Sequence, residues 1–263
     1  MMKKASWLAC ALTLGNLLCG FAAILLAVKG YRQPTFLHAV PTEVAQAAWF
    51  IFVGMVMDGL DGRVARMTRA DSAFGAELDS LADVVTFGLA PAVLAWVVGT
   101  HAGQPESLLW TAGALYAAAT AIRLARYNVR HASPRRVKGP DFQGLPSPAA
   151  AGLVSGLLLL LESPAVERAA FVLPGVLAVA GVLMVSNIPY LHLMNRIGKR
   201  RGPALVALGL GLAASLALYP ALTLSIAFLG YALSGLGQGL LASLLPQPEP
   251  EEDEWADEPL SRR

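Results

Sequence analysis

Residues 57–83 read MDGLDGRVARMTRADSAFGAELDSLAD, and this stretch decides how the whole chain is interpreted. Of its five aspartates, four lie within or beside long apolar segments: Asp58, Asp61, Asp79 and Asp83. Ionisable residues at the depth of a membrane-spanning helix are costly, so they mark functional sites by default. The members of each pair lie three or four residues apart and therefore share one face of a helix. We expect two adjacent antiparallel helices to bring the four carboxylates together at the membrane boundary.

Four carboxylates at short range repel one another and demand a cation. Mg²⁺ binds a few carboxylates together with the phosphates of a substrate, and Mn²⁺ accepts similar ligands. The pattern therefore predicts a site for a divalent metal, Mg²⁺ or Mn²⁺, with room for a phosphate or diphosphate. The simpler interpretation, in which the aspartates only flank helix ends, suits a lone aspartate better than four at these spacings.

The composition of the chain supports a membrane protein. Of the 263 residues, 56% are hydrophobic and only 14% are charged, whereas about 25% are charged in a typical soluble domain. The mean hydropathy is +0.55 and the net charge is only +2. These values exclude a water-soluble globule, a disordered chain and a nucleic-acid-binding protein, so no nucleic acid is expected as a partner.

Apolar segments long enough to act as spans recur along the chain, since a helix needs about 20 apolar residues to cross a membrane. Residues 202–248 hold no charged residue but would be about 70 Å long as one helix. We therefore predict a break at Tyr219–Pro220 and an all-α polytopic membrane protein with about eight transmembrane helices. The predicted spans are 5–28, 44–57, 84–100, 108–122, 145–161, 169–188 and two within 202–248.

The distribution of basic residues predicts the orientation. If the N-terminus is cytoplasmic, all but three of the 20 lysines and arginines fall on the cytoplasmic side. The exceptions are Lys29, Arg32 and Arg168. We expect an integral protein of a prokaryotic inner membrane, with both termini and the aspartate cluster facing the cytoplasm and with membrane lipids as neighbours.

The aspartates belong to a longer pattern, D-x2-D-G-x2-A-R-x8-G-x3-D-x3-D, which is complete between Asp58 and Asp83. This pattern resembles the signature of the CDP-alcohol phosphotransferases, membrane enzymes that transfer a substituted phosphate from a CDP-linked donor to an alcohol and release CMP. The resemblance implies a core of six transmembrane helices, usually in a homodimer. We accordingly expect a catalytic domain at 1–195, two further helices at 196–245 and an acidic, disordered cytoplasmic tail at 246–263.

The resemblance also implies roles for single residues. Asp58, Asp61 and Asp79 would hold the metal, with Asp83 close to it as the fourth carboxylate of the metal site. Asp83 would also be the general base that takes the proton of the acceptor alcohol. The residues implied for the CDP pocket are Thr13, Asn16, Gly62, Ala65, Arg66 and Gly75. For the first two, ordinary hydrogen bonding between helices is an equally good interpretation.

Other segments narrow the choice of acceptor alcohol, and these are residues 87–92, 123–128, 144–152 and 186–190. They resemble the integral-membrane phosphatidylserine synthases of this family, which implies CDP-diacylglycerol and L-serine as substrates. The carboxylate of serine needs a cation, and the residues predicted to bind serine are Arg123, Arg126 and Asn128. Alternatively, the two arginines contact lipid phosphates.

Four alternative functions, two of them within the same family, differ in how well they suit the chain. Phosphatidylglycerophosphate and phosphatidylinositol-phosphate synthases need extra basic residues for a second phosphate, which Arg130, Arg135, Arg136 and Lys138 can supply. Membrane prenyltransferases carry two distant aspartate clusters, and this chain has one. A transporter with a carboxylate ion site is the remote alternative. Transporters bind their cargo near the middle of the bilayer, whereas the aspartates are expected at its cytoplasmic boundary.

Overall fold

The computed structural model describes residues 4–32, 40–68, 72–132, 144–161, 167–188, 190 and 203–244. These residues form helices and connecting turns, with no β-strand among them. The α-helices are α1 (Lys4–Tyr31), α2 (Thr42–Thr68), α3 (Ala73–Asp83), α4 (Ala90–His101), α5 (Glu106–Ala132), α6 (Ser147–Leu161), α7 (Leu173–Val185), α8 (Pro203–Leu218) and α9 (Pro220–Leu244). A π turn (Val84–Leu89) joins α3 to α4, and a 3₁₀ helix (Glu167–Val172) precedes α7.

The predicted all-α membrane class is confirmed. Segments long and apolar enough to cross a membrane are Trp7–Tyr31, Thr42–Thr68, Ala73–His101 and Glu106–Arg130. Shorter apolar helical segments are Ser147–Leu161, Ala169–Val185 and Pro220–Gly235. The count of about eight spans stays a prediction, and the predicted acidic tail at 246–263 lies outside the described residues.

The break predicted at Tyr219–Pro220 is confirmed, because α8 ends at Leu218 and α9 begins at Pro220. Proline suits the first position of a helix, where its missing N–H would have no helical partner in any case. The Tyr219 carbonyl accepts hydrogen bonds from both the main-chain N–H and the hydroxyl of Thr223. Thr223 thus ties the first turn of α9 to Tyr219, the residue at the break.

Helix α1 organises the part of the fold that holds the aspartates. It packs along α2 and also against α3, the π turn and α4. Further along the chain, α5 packs against α7, and α6 packs against α9. Glycines allow the close approach of α6 and α9, since a Cβ at Gly156 would lie 3.0 Å from the Cα of Ser225.

The helix that carries Asp79 and Asp83 begins earlier than the predicted third span. Ser72 caps it, because its hydroxyl accepts a hydrogen bond from the N–H of Gly75 at 3.0 Å. The chain then stays helical from Ala73 to His101. Asp79 and Asp83 therefore lie in the polar first part of a helical segment whose later residues pack in the core.

Candidate functional site

The aspartates of α2 and α3 converge in the structure as the sequence predicts. One carboxylate oxygen from each of Asp58, Asp61 and Asp79 lies within 4.8 Å of the others. Asp83, one turn further along α3, is close enough to Asp58 and Asp79 for electrostatic repulsion. Asp61 and Asp83 are almost fully buried, at 5% and 6% exposure. The cluster is therefore a largely desolvated group of carboxylates.

Helix α1 orients two of these carboxylates. The hydroxyl of Thr13 donates to Oδ2 of Asp61 at 2.7 Å, and the amide Nδ2 of Asn16 donates to Oδ1 of Asp83 at 3.0 Å. Both donors are buried, and their spacing of three residues puts them on one face of α1. The structure thus brings the two predicted nucleotide contacts of α1 to the aspartates, and their contact with CDP stays a prediction.

The donor set at this cluster fits a divalent metal. Oδ1 of Asp79 is buried and has no hydrogen-bond partner among the described residues. Among the residues that the structure describes, no lysine or arginine forms an ion pair with any of the four aspartates. A buried carboxylate oxygen without a partner is costly, and clustered oxygen ligands are those that Mg²⁺ and Mn²⁺ prefer. Asp58, Asp61 and Asp79 are the residues placed to hold such an ion.

The other predicted residues of the CDP pocket lie at the same end of α2 and α3. Gly62, Ala65 and Arg66 follow Asp61 along α2, and Gly75 lies one turn before Asp79 in α3. The guanidinium of Arg66 reaches back over Gly62, where a Cβ would lie 3.4 Å from its Nη1. Gly62 and Ala65 are half-buried and Arg66 is exposed. The basic side chain of Arg66 therefore lies beside backbone that carries only small residues, Gly62 and Ala65.

A small basic cavity lies between α5 and the end of α7, lined by Arg123, Arg126, Tyr127, Arg130, Met184, Ser186 and Asn187. Arg123 donates to the hydroxyl of Ser147 at 2.9 Å, and Arg126 donates to the carbonyl of Val185 at 2.8 Å. Arg123 is also close enough to Asp83 for electrostatic attraction. Arg123 therefore links this cavity to the carboxylate cluster through its charge.

Two of the three residues predicted to bind serine line this cavity, and the third lies apart from them. Asn128 donates to the hydroxyl of Ser80 at 3.0 Å and to Glu77 at 3.3 Å, so it packs on α3. Sequence reasoning gave no role to Ser147, Ser186 or Asn187. Ser186 and Asn187 carry a signal, since they are a polar pair directly after the apolar residues of α7.

A family model described as CDP-alcohol phosphatidyltransferase matches residues 6–193. Curated proteins named CDP-diacylglycerol–serine O-phosphatidyltransferase are similar to the chain. The Helicobacter pylori (strain J99) protein is 40% identical over 160 residues, which is 58% of this chain and 63% of that protein. The Bacillus subtilis protein is 32% identical over 192 residues, 71% of this chain and 91% of that protein. The Saccharomyces cerevisiae protein is 38% identical over 146 residues, 54% of this chain and 51% of that protein. The match thus spans less than two thirds of the H. pylori and S. cerevisiae proteins.

Proposed function

Because the chain belongs to the CDP-alcohol phosphatidyltransferase family, we propose that it transfers the phosphatidyl group of CDP-diacylglycerol to the hydroxyl of L-serine and releases CMP. The observation that carries this proposal is the convergence of Asp58, Asp61 and Asp79, with Asp83 beside them. The relatives named for this reaction support serine as the acceptor.

In this proposal Asp58, Asp61 and Asp79 hold Mg²⁺ or Mn²⁺, and Asp83 lies near it. When bound, the metal neutralises the diphosphate of the donor and the charge that develops on the CMP leaving group. Thr13 fixes the direction of the Asp61 carboxylate through its 2.7 Å hydrogen bond. Partners of this kind raise metal affinity, because they hold a ligand in the geometry that binding needs.

Asp83 acts as the general base in the proposed reaction. Asn16 binds its Oδ1, so Oδ2 is the oxygen that we assign to the proton of the serine hydroxyl. The serine oxygen forms a bond to the phosphorus that carries the diacylglycerol. The bond between that phosphorus and the oxygen of CMP breaks, and CMP leaves with the electron pair of that bond.

Serine binds in the basic cavity beside Asp83. Arg123 and Arg126 supply positive charge for its carboxylate, and the electrostatic attraction between Arg123 and Asp83 supports the closeness of this cavity to the base. Arginine suits this task because its planar group can bind both oxygens of a carboxylate. Asn128 of α5 supports the pocket by fixing this helix to α3 through its hydrogen bonds to Ser80 and Glu77.

The cytidine nucleotide binds at the end of α2 and α3 marked by Gly62, Ala65, Arg66 and Gly75. Small residues let a ligand approach the backbone closely, and Arg66 supplies a positive charge to the diphosphate. Thr13 and Asn16 complete this side of the site from α1.

The protein also acts as a homodimer in a prokaryotic inner membrane, with the aspartates and both termini facing the cytoplasm. The excess of lysine and arginine on that side supports the orientation. Residues 1–195 form the catalytic domain, and 196–245 and 246–263 are the two further helices and the acidic tail.

An acceptor assay tests the proposal. The purified full-length chain in detergent, with CDP-diacylglycerol and Mn²⁺, is given L-serine, glycerol 3-phosphate or inositol 1-phosphate, and CMP release is measured. We expect CMP release with serine and its loss when Asp79 is replaced by asparagine. Because Arg130 lines the same cavity and suits a second phosphate, the other two acceptors are the important comparison. Release with glycerol 3-phosphate and none with serine would contradict the proposed acceptor.

A further inference from the structure

The helix that carries Asp79 and Asp83 changes its hydrogen-bonding pattern directly after Asp83. Residues Val84–Leu89 form a π turn, in which the N–H of Ala90 bonds to the carbonyl of Val85, five residues back. Such turns are rare in α-helices and are frequent at functional sites. One extra residue rotates the side chains before the turn by about 100° relative to those after it. The π turn therefore sets the direction in which the two aspartates point.

Hydroxyl groups hold this turn to two neighbouring helices. Tyr116 of α5, which is fully buried, donates from its Oη to the main-chain carbonyl of Phe87 at 2.9 Å. Thr86, also fully buried, donates to the main-chain carbonyl of Asn16 on α1 at 2.8 Å. Buried carbonyl groups need such partners, and these two bonds tie the π turn to α5 and α1.

The contact with α1 leads back to Asp83. The carbonyl of Asn16 accepts the hydroxyl of Thr86, while its side chain donates to Asp83. Gly20, one turn along α1, makes this approach possible, because a Cβ there would lie 2.7 Å from the Cα of Thr86. A shift of the π turn would therefore move Asp83 relative to the amide that orients it.

We propose that Tyr116 and Thr86 are positioning residues, which hold the π turn so that the Asp83 carboxylate stays aligned with Asn16 and with the acceptor hydroxyl. Both act through the backbone of the turn. The catalytic consequence rests on the proposed function, because Asp83 is the base there. The mechanical part, that two hydroxyls hold the turn, rests on the geometry alone.

Two substitutions each remove one hydroxyl with little change of shape: Tyr116→Phe and Thr86→Val. Thr86→Ser restores the hydroxyl and is the rescue variant. The matched control is Ser225→Ala, which removes a buried hydroxyl that joins α9 to the carbonyl of Gly156 in α6 at 2.7 Å. Each full-length variant is assayed in detergent for kcat, for the KM of serine and CDP-diacylglycerol, and for Tm.

We expect Tyr116→Phe and Thr86→Val to lower kcat about 10- to 100-fold, because a misplacement of about 1 Å has effects of this size. Both KM values should stay within about twofold of the wild type. Thr86→Ser and Ser225→Ala should keep the wild-type kcat. An unchanged kcat in Tyr116→Phe, or an equal loss in Ser225→Ala, would overturn the positioning role.

Hydrogen exchange of the main-chain amides separates this inference from the proposed function. In Tyr116→Phe the amides of residues 84–89 should exchange faster, while those of α6 stay unchanged. If the wild type transfers to no alcohol, the proposed function fails, and this exchange result still decides whether Tyr116 holds the turn. Unchanged exchange in residues 84–89 would overturn the inference whatever the activity.

Discussion

The side-chain amide of Asn16 donates a hydrogen bond to Oδ1 of Asp83 at 3.0 Å, across 67 positions of the sequence. This bond joins the first helix to the last aspartate of the pattern, at a point where both residues are buried. A general base must present one oxygen in a fixed direction. In the proposed role of Asp83 as the base, the Asn16 amide fixes that direction by binding the other oxygen.

Replacement of Asn16 by alanine should therefore lower kcat about 100-fold, since Asp83 loses the bond that orients it. The binding of CDP-diacylglycerol should weaken less than kcat falls. Steady-state kinetics and a lipid-binding assay measure the two effects. Cys10→Ala, six residues earlier on the same helix, is the control and should keep wild-type activity. Wild-type kcat in Asn16→Ala would rule out the orienting role.

Thr13→Val should weaken Mn²⁺ binding about tenfold, because hydrogen-bond partners of metal-binding side chains have effects of about 10- to 100-fold. The substitution removes the hydroxyl that binds Asp61 and preserves the shape of the side chain. Thr13→Ser keeps the hydroxyl and should bind Mn²⁺ as the wild type does. The measurement is the Mn²⁺ concentration that gives half-maximal CMP release. If the valine and serine variants need the same Mn²⁺ concentration, the hydroxyl of Thr13 does not contribute to metal binding.

Divalent metal should stabilise the protein against heat. Binding to the folded state alone contributes about 2.7 kcal/mol at a metal concentration of 100 times the Kd. Mn²⁺ should therefore raise the Tm of the wild type, and an excess of EDTA should reverse the rise and abolish CMP release. Asp79→Asn removes one of the clustered charges, so its Tm in EDTA should equal or exceed that of the wild type. An equal rise with Mn²⁺ in both proteins would place the metal elsewhere.

Gly20→Ala should destabilise the protein by about 1–3 kcal/mol, the usual effect of overpacking a core. The new Cβ would meet the Cα of Thr86 at 2.7 Å, and no side-chain rotation relieves a clash with the backbone. Gly175→Ala in α7 is the matched control, since nothing lies within 4 Å of its Cβ. Alanine also favours a helix over glycine by up to about 1 kcal/mol, so the control should keep or gain stability. Thermal unfolding in detergent compares the two variants.

Arg126→Gln should raise the KM for serine about tenfold or more, because hydrogen bonds to charged groups contribute about 1.5–3 kcal/mol. The change in kcat should be smaller. Arg32→Gln is the control for the loss of a positive charge. Arg32 directly follows the C-terminal end of α1, away from the aspartates, and its substitution should leave the KM for serine unchanged. A wild-type KM in Arg126→Gln would indicate that this arginine contacts lipid phosphates and not serine.

Much of the site could be predicted from the sequence because its signals are local. The spacing of Asp58, Asp61, Asp79 and Asp83 follows from helix geometry, and the structure places one oxygen of each of the first three within 4.8 Å. Tyr219–Pro220 was also predictable, since a 47-residue apolar helix (202–248) exceeds the thickness of a membrane.

The supporting contacts could not be predicted, because they join distant parts of the chain. The π turn after Asp83 has no local sequence signal, and a hydroxyl on α5, that of Tyr116, holds it. The pairing of Asn16 with Asp83 likewise depends on how α1 packs on α3. The contacts of Asn128 with Ser80 and Glu77 likewise join residues about 50 positions apart, and its role in serine binding stays a prediction.

The assignment of Asp83 as the general base is tested most directly by CMP release from Asp83→Asn in the presence of CDP-diacylglycerol, L-serine and Mn²⁺. Asparagine keeps the size of the side chain but cannot accept the serine proton. We expect a loss of kcat of about 10²- to 10⁴-fold, the usual contribution of a general base, while CDP-diacylglycerol still binds with wild-type affinity. Turnover at the wild-type rate would contradict the assignment of Asp83 as the base and, with it, the mechanism built on the four aspartates.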